Sequence, residues 1–114
     1  MAERGEVFRL RGRVGFGARK SEERVVVLQV DALNDVLATT LVAPLDAARA
    51  FYDRDPTAVR LDPSEAGVGS AVVVLTTQLR CLPLDRLDGT AVGRLRPSSM
   101  DAVDEALRLV LGLA

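Results

Sequence analysis

The side chain that most often moves protons in proteins, histidine, is absent from this 114-residue sequence. Its absence removes the commonest general base, a frequent zinc ligand, and the Ser/His and Cys/His nucleophile pairs. A single cysteine, Cys81, excludes a disulfide framework and a multi-cysteine zinc site. Acid–base chemistry must therefore come from carboxylates, hydroxyls or the cations themselves. Arg24 is the most informative cation. It stands where a glycine-rich loop meets the first strongly apolar run, with Arg19 and Lys20 close by in sequence. A guanidinium anchored by a strand can stabilise charge developing on a phosphate. An edge-strand arginine paired with Glu22 or Glu23 is the plainer reading of the same residues. Gln78 and Arg80 alternate along one expected strand and so share a face, from which both reach bases or phosphates. An ordinary polar sheet face has the same pattern. Cys81 then points the opposite way, as a small core residue.

The loop GRVGFGARKS, residues 12–21, invites comparison with a phosphate-binding loop and does not match one. Ala18 and Arg19 separate Gly17 from Lys20, and the segment runs into a strand, so no helix N-terminus faces a phosphate.

The elements that must position these residues are mostly strands. Residues 5–11 (GEVFRLR) form a short strand, 12–23 a long loop, 25–30 (VVVLQV) and 37–43 (LATTLVA) two strands joined by a turn at 31–35. Pro44 is expected to close the second of these, because it lacks a ladder donor. Residues 46–55 are irregular or a short helical turn, 57–61 (TAVRL) an edge strand, and 62–69 turn chemistry. A long strand over 70–82, a helical turn at 84–87 and a short strand at 91–95 follow. The clearest element is terminal. Met100, Val103, Leu107, Val110 and Leu111 recur with helical period, which predicts a helix over 99–111. Ser98 with Asp101 imitates a capping box, and Gly112 suits a helix end. Five or six antiparallel strands with one long helix predict a small, strongly bent sheet or barrel.

Length and composition fit one domain over 1–114, with 48% hydrophobic and 27% charged residues. Net charge is −1, yet residues 1–24 hold seven basic groups against four acidic, while 25–79 hold three against seven. A local basic patch can meet phosphate in a nearly neutral protein. No apolar run approaches the roughly 20 residues that span a bilayer, and the opening MAERGE lacks the apolar region of a secretory signal, so a cytoplasmic protein away from membranes is expected.

The order of pieces resembles the PemK/MazF-type toxins, the ribonuclease halves of bacterial toxin–antitoxin pairs, over nearly the whole chain. GEVFRLR resembles their opening strand, ERVVVLQVDALN the strand that begins Arg-Pro, and TLVAPL the next. SAVVVLTTQLRCLPLDRL resembles their Glu/Asp-Gln-Ile-Arg-Thr-Ile strand, and VGRLRPSSMDAVDEALRLVLGL their C-terminal region. The resemblance implies an SH3-like β-barrel with a terminal helix, assembled as a two-fold homodimer. It implies metal-independent cleavage of single-stranded RNA that leaves a cyclic phosphate and a 5′-hydroxyl, with no cofactor. A cognate antitoxin with a disordered acidic tail would cover the RNA groove. On this mapping Arg24 falls on the catalytic arginine. Arg19, Lys20, Ser21, Gln78 and Arg80 fall on RNA-contacting positions.

Three departures stand out. Asp46, after Pro44-Leu45, occupies the place of the catalytic threonine, Val25 that of a proline, and Thr77 that of an acidic residue. Asp46 could serve as base for a 2′-hydroxyl, although a carboxylate repels the phosphate beside it. VAPLDAARAF and LTTQLRCLP also resemble segments of the CcdB-type gyrase poisons. Their C-terminal Trp-Gly-Ile has no counterpart in Leu111-Gly112-Leu113-Ala114. The alternatives to a ribonuclease are thus a gyrase poison and a non-catalytic member of the same superfamily.

Overall fold

The computed structural model describes residues 2–11 and 23–114, so the expectations for Arg19, Lys20 and Ser21 lie outside the described residues. Strands β1 (Glu6–Leu10) and β2 (Arg24–Val27) pair antiparallel, with Val7 opposite Val26. Val7 and Phe8 of β1 and Val25, Val26 and Val27 of β2 are buried, so each strand sends apolar side chains to both faces. Val7, Val26 and Leu28 join one core with Ala43, Val74 and Val103, while Phe8, Val25 and Val27 join another with Val42, Leu82 and Leu87.

Strand β3 (Thr39–Ala47) pairs with β2 through residues 42–44 and is the longest strand. It does not stop at Pro44. On its other edge it pairs with β6 (Arg80–Pro83) along residues 39–42 and with β5 (Val72–Leu75) along 45–47. Pro44 lies in the gap between these two partners, where that ladder is already interrupted. The expected strand over 70–82 is divided accordingly. Thr76 is buried, and its hydroxyl donates to the Thr57 carbonyl at 2.6 Å, which pulls the chain out of register between β5 and β6. Gln78 therefore sits in a turn and Arg80 on β6, not side by side on one strand. On β6 the inward residue is Leu82; Cys81 is exposed, contrary to its expected place in the core.

Strand β4 (Ala58–Leu61) forms the expected edge, outside β5, and β7 (Leu87–Arg94) the opposite edge, outside β1. The order β4-β5-β3-β2-β1-β7 is an open seven-stranded sheet, with β6 beside β3, and does not close into the expected barrel. Helices α1 (Asp31–Asn34) and α2 (Pro63–Ala66) are single turns where turns were expected. Helix α2 is what occupies the flank of β7. A Cβ on Gly93 would lie 2.1 Å from the Glu65 carbonyl oxygen, and one on Gly67 2.3 Å from that of Val92. Backbone meets backbone there, leaving no space for another strand.

Helix α3 (Pro97–Leu111) is the expected long helix, two residues longer at its start. Its first turn uses Pro97, whose fixed φ suits that position, and no side-chain cap forms at Arg96. Instead the Arg96 N–H donates to Glu65 Oε1 at 2.9 Å. Val103 and Ala106 enter the core with Met100 and Leu107 packed beside them; Leu111 is exposed. Gly112 ends the helix at φ 68°, as anticipated. No helix among the described residues is long and apolar enough to cross a membrane.

Candidate active site

A cavity of about 500 Å³ lies at the junction of several elements, beside the part of β3 that pairs with β5. The first residue of β2 contributes Arg24, the C-terminal part of β3 contributes Asp46, and the turn between β5 and β6 contributes Gln78. Three stretches far apart in sequence thus converge on one hollow. Arg80 is exposed on β6 and does not line it. A second, more open hollow between β4 and α3 contains none of the residues singled out from sequence.

Arg24 enters with its backbone locked by pairing to Arg9. Its Nη2 donates to the Gly67 carbonyl at 3.4 Å, a long bond, while Nε is buried without a hydrogen-bond partner among the described residues. Oε2 of neighbouring Glu23 is buried in the same condition. Buried polar atoms are nearly always satisfied, so such atoms beside a cavity mark capacity for a ligand. Among the described residues Glu23 forms no ion pair with Arg24, and the alternative partner Glu22 lies outside them.

Asp46 is held from several sides. The Tyr52 hydroxyl donates to Oδ2 at 2.6 Å, the Ala47 N–H donates to Oδ1 at 2.9 Å, and Arg49 Nη2 lies 3.7 Å from Oδ1. A carboxylate so surrounded by donors and by a cation repels a nearby phosphate less than its formal charge suggests. Tyr52 lies on a short 3-10 turn, Ala50–Tyr52, whose geometry brings the ring back over β3. Burial first, then the hydrogen bond to Asp46 and its charge, push the phenol up to about 12. Tyr52 is therefore protonated throughout the neutral range.

Arg49 and Tyr52 were not legible as site residues, because 46–55 carries no regular period. Asp46 lies on β3 and Arg49 is extended, and only Tyr52 is on the 3-10 turn, so the three meet through the reversal of the chain after β3 and not through a periodic pattern. Among the described residues no three His, Cys, Asp or Glu side chains gather where they could hold a metal ion.

The sequence matches the family model described as PemK-like, MazF-like toxin of type II toxin–antitoxin system over residues 3–111. The fold is similar to an endoribonuclease in complex with its cognate antitoxin from a mycobacterial species, at 26% identity and TM-score 0.79, covering 100% of this chain and 98% of that one. It is also similar to the Mycobacterium tuberculosis toxin MazF-mt6, at 21% identity and TM-score 0.76, covering 96% and 98%. A MazE-MazF structure from Deinococcus radiodurans matches at 20% identity and TM-score 0.73, covering 98% and 97%. Comparison with curated protein sequences gives no match.

Proposed function

The chain belongs to the PemK-like, MazF-like toxin family of type II toxin–antitoxin systems, and from that premise we propose that it is an endoribonuclease that cuts single-stranded RNA without a metal or cofactor. The observation that carries this reading is the convergence of Arg24, Asp46 and Gln78 on one cavity. Cleavage by a neighbouring 2′-hydroxyl passes through a phosphorane with extra negative charge. Arg24, with Nε unpaired and one long bond among the described residues, has donors to meet that charge, and charge-assisted bonds to the transition state lower the barrier. Asp46 accepts the 2′-hydroxyl proton, and Gln78 offers an amide to a base or phosphate. Arg80, outside this cavity, would contact RNA only along a flanking stretch. The complex described for the mycobacterial relative supports a cognate antitoxin as partner, with an acidic tail laid over this cavity. The active form is a homodimer of one-domain chains acting on cytoplasmic RNA. The gyrase-directed alternative gains no separate support.

The test is single-stranded RNA in excess EDTA, with fragment ends read for 5′-hydroxyl. Metal-free cleavage that is lost in Arg24→Ala is expected. Cleavage that vanishes with chelator, or persists in Arg24→Ala, overturns the reading.

A further inference from the structure

Cleavage as proposed leaves one proton without a source. When the P–O5′ bond breaks, the departing oxygen carries the electron pair and must be protonated, and the chain has no histidine to do it. Resting on that cleavage reading, we propose that Tyr52 is the catalytic acid, paired with Asp46 as the base.

The two groups lie on the wall of one cavity with Arg24, and the Tyr52 hydroxyl is bonded to Asp46 Oδ2 at 2.6 Å. Oδ1 is held by the Ala47 N–H and faces Arg49, so the carboxylate cannot swing away from the phenol. The Tyr52 ring is steadied by Phe51, at 4.4 Å between centroids. The phenol keeps its proton at neutral pH, yet an alkoxide is a far stronger base than a phenolate, so transfer to O5′ runs downhill. The same desolvation that raises the phenol pKa thus preserves the proton until the alkoxide appears.

The proton inventory closes within the pair. The 2′-oxygen attacks phosphorus as its proton passes to Asp46. The P–O5′ bond breaks, and O5′ takes the proton of Tyr52. This leaves a neutral carboxyl and a phenolate already joined by a short hydrogen bond, along which the proton moves from Asp46 to Tyr52. Both groups are restored, and the products are a 2′,3′-cyclic phosphate and a 5′-hydroxyl. Neither water nor a further base enters the cycle.

A brace for Asp46 and an acid for O5′ predict different behaviour toward the leaving group. The experiment compares ordinary RNA with the same strand carrying one sulfur in place of the bridging O5′, because a thiolate departs without a proton. Tyr52→Phe should lose about 10²-fold or more in rate on ordinary RNA, the usual contribution of a general acid. On the sulfur-bridged strand it should cut close to the wild-type rate. Arg24→Ala should stay slow on both strands. The ratio between the two substrates does not depend on how much of the variant is folded. Equal losses on both substrates for Tyr52→Phe, or no loss on ordinary RNA, overturn the acid role. If the wild-type protein leaves both strands intact, it is the cleavage reading that fails, and the acid role fails with it.

Discussion

Arg24 and Asp46 show how differently two site residues can be supported. Arg24 is fixed by its strand but, among the described residues, has Nε unpaired and only a long bond from Nη2. Arg24→Ala should therefore cost little stability while lowering the cleavage rate about 10²-fold or more, in line with loss of an oxyanion-stabilising donor. Arg24→Lys should be nearly as poor, because a point charge cannot reproduce the planar fork. Rates and thermal melts of both variants check this together. Asp46, in contrast, is surrounded by donors. Asp46→Thr, which installs the residue of the family pattern, should reduce cleavage, because threonine cannot accept the 2′-hydroxyl proton or hold Tyr52 as a carboxylate does. A faster Asp46→Thr enzyme would show that Asp46 merely replaces the threonine. Arg24 and Gln78 were singled out by residue type and position, Asp46 only by the resemblance, and the three line one cavity. Arg49 and Tyr52 were not singled out. Tyr52 is placed by a 3-10 turn and Arg49 by the extended residue before it, in a stretch that carries no apolar period of its own.

The elements reveal the limits of local pattern more sharply. Helix α3 and strands β1, β2 and β4 follow from periodicity and branched side chains, which act over a few residues. The division of 70–82 into β5 and β6 depends on a bond from Thr76 to the carbonyl of Thr57, which no short window contains. The open edge of the sheet has the same character. It is set by α2, seated on β7 through Gly67 and Gly93. Gly93→Ala forces a Cβ against a backbone carbonyl that cannot move aside, and should destabilise by about 1–3 kcal/mol, as overpacking does. Urea unfolding measures it; an unchanged midpoint would mean that α2 is not tightly seated. Glu65 secures the same helix. Burial alone would raise its pKa, but hydrogen bonds from Ser99 and from the Arg96 and Asp62 N–H groups, with the Arg96 charge, outweigh burial and lower it below the ordinary 4.5. A carboxylate whose folded pKa is depressed stabilises the protein fully above its unfolded pKa. That stability is lost as pH falls through the folded value. Melting temperature should thus decline as pH drops below about 4.5, and Glu65→Gln should flatten this decline.

At the scale of the whole molecule, apolar surface is left uncovered. Val30, Leu33, Val36, Leu37 and Leu41, around α1 and the start of β3, are all exposed, Val36 by 74%. Exposed apolar side chains so concentrated in sequence are consistent with the proposed homodimer. Light scattering at micromolar concentration should report twice the mass of the chain, and Val36→Asp should shift it towards a single chain. A single-chain mass for the wild-type protein contradicts the dimer. Charge offers a second test. An acidic peptide laid over the cavity would meet Arg24 and Arg49, so its affinity should fall as salt rises and fall further in Arg24→Ala. Binding indifferent to both would place the antitoxin tail elsewhere. The terminal helix and five or six strands were expected from sequence; the seventh strand, from the division of 70–82, was not. Nor was the lack of closure, because it depends on which backbone reaches β7 first.

The pairing of Glu6 with Arg94 bonds the first strand of the chain to its last. A ribosome makes β1 before β7, so β1 offers one unpaired edge until residues 87–94 have been made. The nascent protein can gather β2, β3 and β5 into a partial sheet, but long-range pairing of this kind forms slowly and last. A chain truncated after Arg86 should accordingly be digested by protease far faster than one that includes β7 and α3, and its open edge should promote aggregation. Equal protection of the two would show that β1 is held without β7. For the proposed ribonuclease, late assembly would delay the finished sheet until residues 87–94 have left the ribosome.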